Sequence, residues 1–216
     1  MQNFFSVLVL ASLLLSPSVS FREFVFSTAA HSSTAANTSS AASAAGVSFA
    51  EKLSVDGLPN LGKVSDQLFR GAQPNLSNLA ELKKLGVTTI VDLRSESPRT
   101  REQERARAQA LGMRFVSIPV GGFSNPSSAQ VAQFFALLRQ SPRETVFVHC
   151  RFGRDRTGVF IATYRIAFDH WTAEQALGEM NAFGFNHPWH PSMVGYVRDF
   201  AIRLQSDPIF KSLFSN

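Results

Sequence analysis

An α/β fold with a compact, mostly parallel central sheet flanked by helices is predicted by three features of the 216-residue sequence. Short β-branched or apolar runs alternate with helical stretches through most of the chain after residue 53. Glycines at 86 and 112 close two of the helical stretches just before the next strand. The run Val146-Phe147-Val148 is continuously apolar, as a buried strand should be.

The elements follow in order. Val64–Phe69 reads as a strand ahead of the turn Arg70-Gly71-Ala72-Gln73-Pro74. Leu76, Leu79, Leu82 and Leu85 then recur at helical spacing. Val87–Leu93 (VTTIVDL) is β-branched and predicts a buried strand. Thr100–Leu111 predicts a helix in which Glu102 and Glu104 precede Arg105 and Arg107. Met113–Val120 predicts a third strand. Pro126–Gln140 predicts a helix with Val131, Phe134, Phe135 and Leu138 on one face. Thr145–Val148 predicts a short strand running into His149-Cys150, and helical patterns follow at Thr157–Phe168, Thr172–Phe183 and Pro191–Leu204. No repeat of solenoid or propeller period is present.

The first fifty residues read differently. Residues 1–20 carry no charged side chain, and Phe4–Leu15 is an apolar run broken only by two serines. That run is too short to span a bilayer comfortably and has the length of a secretory h-region, with Ser18-Val19-Ser20 offering small residues for cleavage. A signal peptide over 1–20 and a secreted or periplasmic location are therefore expected, or a cytoplasmic one if the leader is a miscalled start. No transmembrane helix is expected in the mature chain. Residues 21–50 contain the Ser/Thr/Ala repeats of 27–48, whose small side chains cannot offset the entropy of ordering; a linker is expected, with His31 solvated in it. The folded domain is expected over 51–216.

Composition narrows the function. One cysteine, Cys150, excludes an internal disulfide framework and any multi-cysteine zinc or iron–sulfur site, leaving an inert or a reactive thiol. Net charge is +5, which suits an anionic ligand. No basic patch interleaved with aromatics is present, so nucleic acid is not an expected partner.

The chemistry is concentrated in Val146-Phe147-Val148-His149-Cys150-Arg151-Phe152-Gly153-Arg154-Asp155-Arg156-Thr157-Gly158. A strand ends, a short loop follows and a helix begins near Arg156. Successive loop amides and a helix N-terminus form an anion cradle. Arg156 adds a two-pronged fork for oxyanions, and Gly153 supplies backbone freedom where a side chain would crowd the anion. The positive field favours the thiolate of Cys150, a nucleophile suited to phosphorus.

The series His149-Cys150-x-x-Gly153-x-x-Arg156-Thr157-Gly158, the CX5R pattern, resembles the signature of the cysteine-dependent protein tyrosine phosphatase superfamily. Phe69–Pro74 and Leu85–Arg94, with Tyr164–Phe185, are similar to its bacterial dual-specificity-like branch. The resemblance covers roughly residues 55–205 and implies a two-step reaction. Cys150 attacks phosphorus, while Arg156 and the amides of residues 151–156 (Arg151, Phe152, Gly153, Arg154, Asp155, Arg156) bind the equatorial oxygens. Thr157 would donate to the sulfur, with His149 and Gly158 supporting the loop. No metal or other cofactor is implied.

Members of this superfamily usually carry an acidic residue on a loop about 30 residues before the cysteine. Here Ile118–Ser128 contains neither Asp nor Glu. Glu144 lies about six strand residues, some 20 Å, from Cys150 and at the wrong end. Asp155 is the expected general acid, against the alternative that it only favours the helix dipole. Asp92 is read as holding a neighbouring arginine or a loop amide, with a catalytic role the alternative, and for Arg70 a substrate contact and a structural ion pair stand equally open. His187, Trp189 and His190 are expected to form an irregular packing loop rather than a metal site. A phosphatase acting on a phosphorylated protein is expected first. A phosphorylated small molecule or lipid (an inositol phosphate or phosphoinositide) and a phosphate-binding pseudoenzyme are the alternatives.

Overall fold

In a computed structural model, residues 46–140 and 143–215 are described, so the expected leader and nearly all of the expected linker, His31 included, lie outside the described residues. The six strands are β1 (Glu51–Lys52), β2 (Gly62–Ser65), β3 (Leu68–Ala72), β4 (Thr89–Arg94), β5 (Arg114–Val120) and β6 (Val146–Cys150). They form one sheet in the order β1-β2-β3-β6-β4-β5. β3, β6, β4 and β5 run parallel, and β1 and β2 add an antiparallel edge. The expected α/β class holds.

The helices are α1 (Leu79–Lys84), α2 (Pro98–Ala110), α3 (Ser128–Leu138), α4 (Asp155–Phe168), α5 (Ala173–Ala182), α6 (Pro191–Ser206) and α7 (Pro208–Phe214). Local chemistry sets several boundaries. Ser127 with Gln130 and Thr172 with Gln175 each close a reciprocal capping box at the start of α3 and α5. Gly86 and Gly112, at φ 86° and 71°, end α1 and α2 in the left-handed region.

Side chains alternate across the sheet and divide the core in two. Val146, Val148 and Cys150 face α3 to α7 with Val91, Leu93 and Ile118. Phe147, Ile90 and Phe115 face α1 and α2 with Leu79, Leu82 and Ala108. Cys150 and His149 therefore work on opposite faces.

Several expectations change. The single strand expected over Val64–Phe69 is a hairpin, because the chain turns at Asp66-Gln67. Arg70-Gly71-Ala72 is not a turn but the buried end of β3, paired with β6. β1 and α7 were not anticipated. Asp207 caps α7 and Phe210 is buried in the core from it. Val47 and Ala50 pack on the core and Phe49 lies against Trp171 at 6.0 Å, so the packed edge reaches into the segment read as linker. His187–Trp189 forms a turn of 3-10 helix. Among the described residues no helix is long and apolar enough to cross a membrane.

Candidate active site

β6 lies at the centre of the sheet, between β3 and β4, and Cys150 is its last residue. Carboxyl ends of central strands are where such sheets bind ligands. Cys150 is 2% exposed and α4 begins five residues later, so the loop 151–154 wraps directly over the sulfur.

The loop is held from outside by its carbonyls. The carbonyl of Arg151 accepts from the Gln73 amide at 3.4 Å. That of Phe152 accepts from Asn60 Nδ2 at 3.2 Å. That of Gly153 accepts from Arg70 Nη2 at 3.0 Å, and that of Arg154 from the Gly158 amide at 3.1 Å. With the first three held from outside and the fourth taken up by the first turn of α4, the amides of 152–154 make no loop or turn hydrogen bond to backbone oxygen. The next two amides belong to the first turn of α4, which has no intrahelical acceptors. Five consecutive donors thus remain for an anion above Cys150.

Gly153 has φ 68°, and a Cβ there would lie 2.5 Å from the backbone carbonyl group of Gly71. The loop therefore lies directly against β3, and only glycine allows that approach.

Arg70 is fully buried, lies 3.9 Å over the Phe183 ring and is 3.7 Å from Glu179. Burial lowers its pKa to about 10, with Glu179 and Cys150 acting in the opposite direction. It supports the loop from below rather than contacting substrate.

Arg156 is fixed by a residue that the sequence did not single out. Its Nη1 and Nη2 donate to the two carboxylate oxygens of Glu96, each at 2.8 Å, and Nη1 also donates to the Val120 carbonyl at 3.2 Å. Its Nε makes no hydrogen bond within the described residues and stays available for an oxyanion. The hydrogen bonds from Arg156, above all, hold the Glu96 carboxyl down at about 2. A lowered folded pKa means that this contribution to stability is complete above the ordinary 4.5 and is lost as pH falls from there toward 2. The clamp therefore stays charged through neutral and mildly acidic conditions. Glu96→Ala is expected to free the guanidinium and lower kcat/KM about 10- to 100-fold, and Glu96→Gln less, in steady-state assays at pH 6–7.

On the other face of β6, His149 pairs in register with Asp92 and stacks on Phe147 at 5.5 Å. Its Nε2 lies 2.9 Å from Oε1 of Glu104 of α2 in a contact not aligned as a hydrogen bond, and its Nδ1 lies 3.4 Å from the Cys150 carbonyl. Arg94 joins Glu104 (2.6 Å) to Asp92 (2.8 and 3.0 Å), all fully or almost fully buried. Asp92 is thus structural. The Thr157 hydroxyl is buried and makes no hydrogen bond, so the expected bond to the Cys150 sulfur is not formed. Gly158 packs against Met180 inside the core. Glu144 bonds Thr89 and Arg114 at the far end of the strands.

Asp155 opens α4, and its Oδ1 lies 3.5 Å from Nε2 of His190. Arg151 and Arg154 are exposed and flank the Phe152 ring at 5.1 and 5.0 Å. Among the described residues no cluster of His, Cys, Asp and Glu is arranged to hold a metal ion. Of the residues singled out by motif, Cys150, Arg151–Arg156 and Thr157 do gather at one sheet end. Asn60, Arg70, Glu96, Glu104 and His190 join them from distant segments; the sequence marked Arg70 and His190 without giving them these roles, and the neighbourhoods of Asn60 and Glu96 carry no pattern that marks them.

A cysteine under a carbonyl-anchored loop, on this sheet, defines the cysteine-dependent protein tyrosine phosphatase superfamily. Within it, the chain belongs to the family of DSP-PTPase phosphatases fused to NAD+ kinase, whose profile matches residues 54–188. It is 35% identical over 133 residues to the dual specificity protein phosphatase TpbA of Pseudomonas aeruginosa (strain UCBPP-PA14), a match over 61% of this chain and 58% of that protein. The chain thus spans less than two thirds of that relative. Its fold matches the crystal structure of P. aeruginosa TpbA in complex with pTyr at a TM-score of 0.61 and 28% identity, over 78% of this chain and 97% of that one. The catalytic core of PP-IP phosphatase SIW14 from S. cerevisiae shares the fold at a TM-score of 0.57 and 20% identity, over 74% and 93%.

Proposed function

We propose that the chain is a phosphomonoester phosphatase of the protein tyrosine or dual-specificity type that works through a cysteinyl-phosphate on Cys150. The observation that carries this reading is the outside anchoring of the carbonyls of Arg151, Phe152 and Gly153, which leaves consecutive amides and Arg156 Nε above the thiol. In the first step Sγ attacks phosphorus, and charge that builds on the equatorial oxygens meets preset donors. Asp155, next to Arg156 on the rim, serves the leaving oxygen. In the second step water attacks phosphorus, the Sγ–P bond breaks and inorganic phosphate is released. The Thr157 hydroxyl, buried without a hydrogen-bond partner, is free to serve as a donor to the departing sulfur.

Phe123, Phe152 and Trp189 are exposed on loops around the site, which favours an aryl phosphate such as phosphotyrosine on a protein. A polyanionic substrate is supported by a groove of about 490 Å³ beside the loop, lined by Lys52, Arg151 and Arg154 with no carboxylate. The full chain is expected to hydrolyse a phosphotyrosine peptide faster than an inositol polyphosphate. Replacing Arg151 and Arg154 by Ala should cost the inositol polyphosphate about tenfold or more, at roughly 1.4 kcal/mol per tenfold loss, and the peptide less. A faster rate on the inositol polyphosphate would assign the site to polyanions. No turnover of either, with phosphate still bound, would make it a binding module.

A further inference from the structure

The loop after β5, where related enzymes carry their acid, here bears Phe123 in a segment free of carboxylates. That segment still flanks the site, since Val120 just before it accepts from Arg156. The Phe123 ring stacks on His190 at 5.2 Å, with 26° between planes. Phe185 stacks on the same imidazole at 5.7 Å and 27°. The imidazole so held is 12% exposed and points Nε2 at Asp155, 3.5 Å away. Three chain segments therefore place one ring beside the residue that precedes Arg156. Its surroundings are Phe123 from the β5–α3 loop, Phe185 after α5, and Asp155 at the start of α4. Asp155 is the charged partner that the described ion pairs give it.

His190 also occupies the N-cap of α6, and its side chain makes no cap bond there. A Ser, Asp or Asn in that place would stabilise the helix by about 1 kcal/mol. The position forgoes that gain and directs the ring to Asp155.

We propose that His190 is the proton-holding partner of Asp155, and that the two together act as the general acid that the β5–α3 loop lacks. This rests on the phosphatase reading above. Carboxyls in general are ionised near neutrality, whereas an imidazole still holds a proton there in part. In the first step the Sγ–P bond forms, the P–O bond to the leaving group breaks, and one proton passes from the imidazolium–carboxylate pair to the leaving oxygen. The pair is left as neutral imidazole and carboxylate. In the second step the attacking water returns a proton to the pair as its oxygen bonds phosphorus and the Sγ–P bond breaks.

The test is the leaving-group and pH dependence of kcat/KM in the full chain, using phenyl phosphate and an activated nitrophenyl phosphate. His190→Gln should lower the phenyl phosphate value about 100-fold and the nitrophenyl value much less. The fall of wild-type activity at high pH should flatten in that variant. Asp155→Asn should show the same bias, and the double variant should add little to either single one. His190→Phe keeps an aromatic ring in the stack and should not rescue. Equal losses on both substrates, or rescue by Phe, would overturn the proposal and leave His190 a packing residue. A Cys150→Ser enzyme that still turned over would instead refute the cysteinyl-phosphate route of the reading above, and a wild-type chain that hydrolyses neither ester would sink that reading itself.

Discussion

Cys150→Ser is expected to abolish turnover, by about 10⁴-fold or more, while leaving the domain folded and able to bind phosphate. Serine is close to cysteine in volume, and the change lies at the end of a strand whose ladder with β3 and β4 is untouched. The stability cost should stay near 1 kcal/mol, the scale for one buried hydroxyl with modest compensation. The anion cradle does not depend on the sulfur, because its donors are set by Gln73, Asn60 and Arg70 from outside the loop and by the start of α4. Phosphate binding by calorimetry with no burst of phenol release is therefore the expected combination. Retained turnover in the serine variant would refute a cysteinyl-phosphate route.

The largest expected loss of stability comes from the opposite face of the same strand. Glu104→Ala removes the carboxylate that meets both Arg94 and His149, all three of them buried. It leaves a guanidinium with Asp92 as its remaining close carboxylate and an imidazole with no anionic partner. Breaking one member of a buried ionic network costs about 3–5 kcal/mol. For a domain of this size that corresponds to a fall in Tm of roughly 10 °C. Thermal unfolding of the full chain measures it. The same change removes the contact that orients His149, whose Nδ1 faces the Cys150 carbonyl, so kcat/KM should fall in step at temperatures well below Tm. A shift of only a degree or two would show that the network contributes little beyond what water could supply.

Much of the site could be read along the chain because one continuous segment carries it. A buried β-branched strand, a loop with glycine at its middle, and a helix beginning two residues before Thr157 are local features, and each has a local cause. Gly153 is required by its φ and by contact with Gly71, and the Ser127 and Thr172 caps mark helix starts within four residues. The Val64–Phe69 strand hides a hairpin because its turn at Asp66-Gln67 has neither Gly nor Pro, and the weaker turn signal of Ser65-Asp66 stands inside an otherwise strand-like run. The burial of Arg70 was hidden for another reason. An arginine before Gly-Ala reads as a turn, and only its parallel neighbour β6 and the Phe183 ring show it to be core.

Thus the nucleophile, the oxyanion fork and the class of fold follow from residues close together in the chain, whose spacing is their function. The supports of the loop do not. Asn60, Arg70 and Glu96 reach it from 92, 83 and 60 residues away. In the sequence Asn60 and Glu96 are ordinary polar residues, indistinguishable from those that face water, and Arg70 stands out without its partner being readable. Their roles exist only once the sheet order places β3 and β4 on either side of β6, and once three loops meet above its end. The proposed proton donor belongs to this second group. Composition showed that the usual loop has no acid, and only packing brought the His190 ring, held between Phe123 and Phe185, to Asp155. Spacing along a strand or helix is a short-range property, whereas the pairing of a carboxylate with an imidazole is decided by where the chain returns.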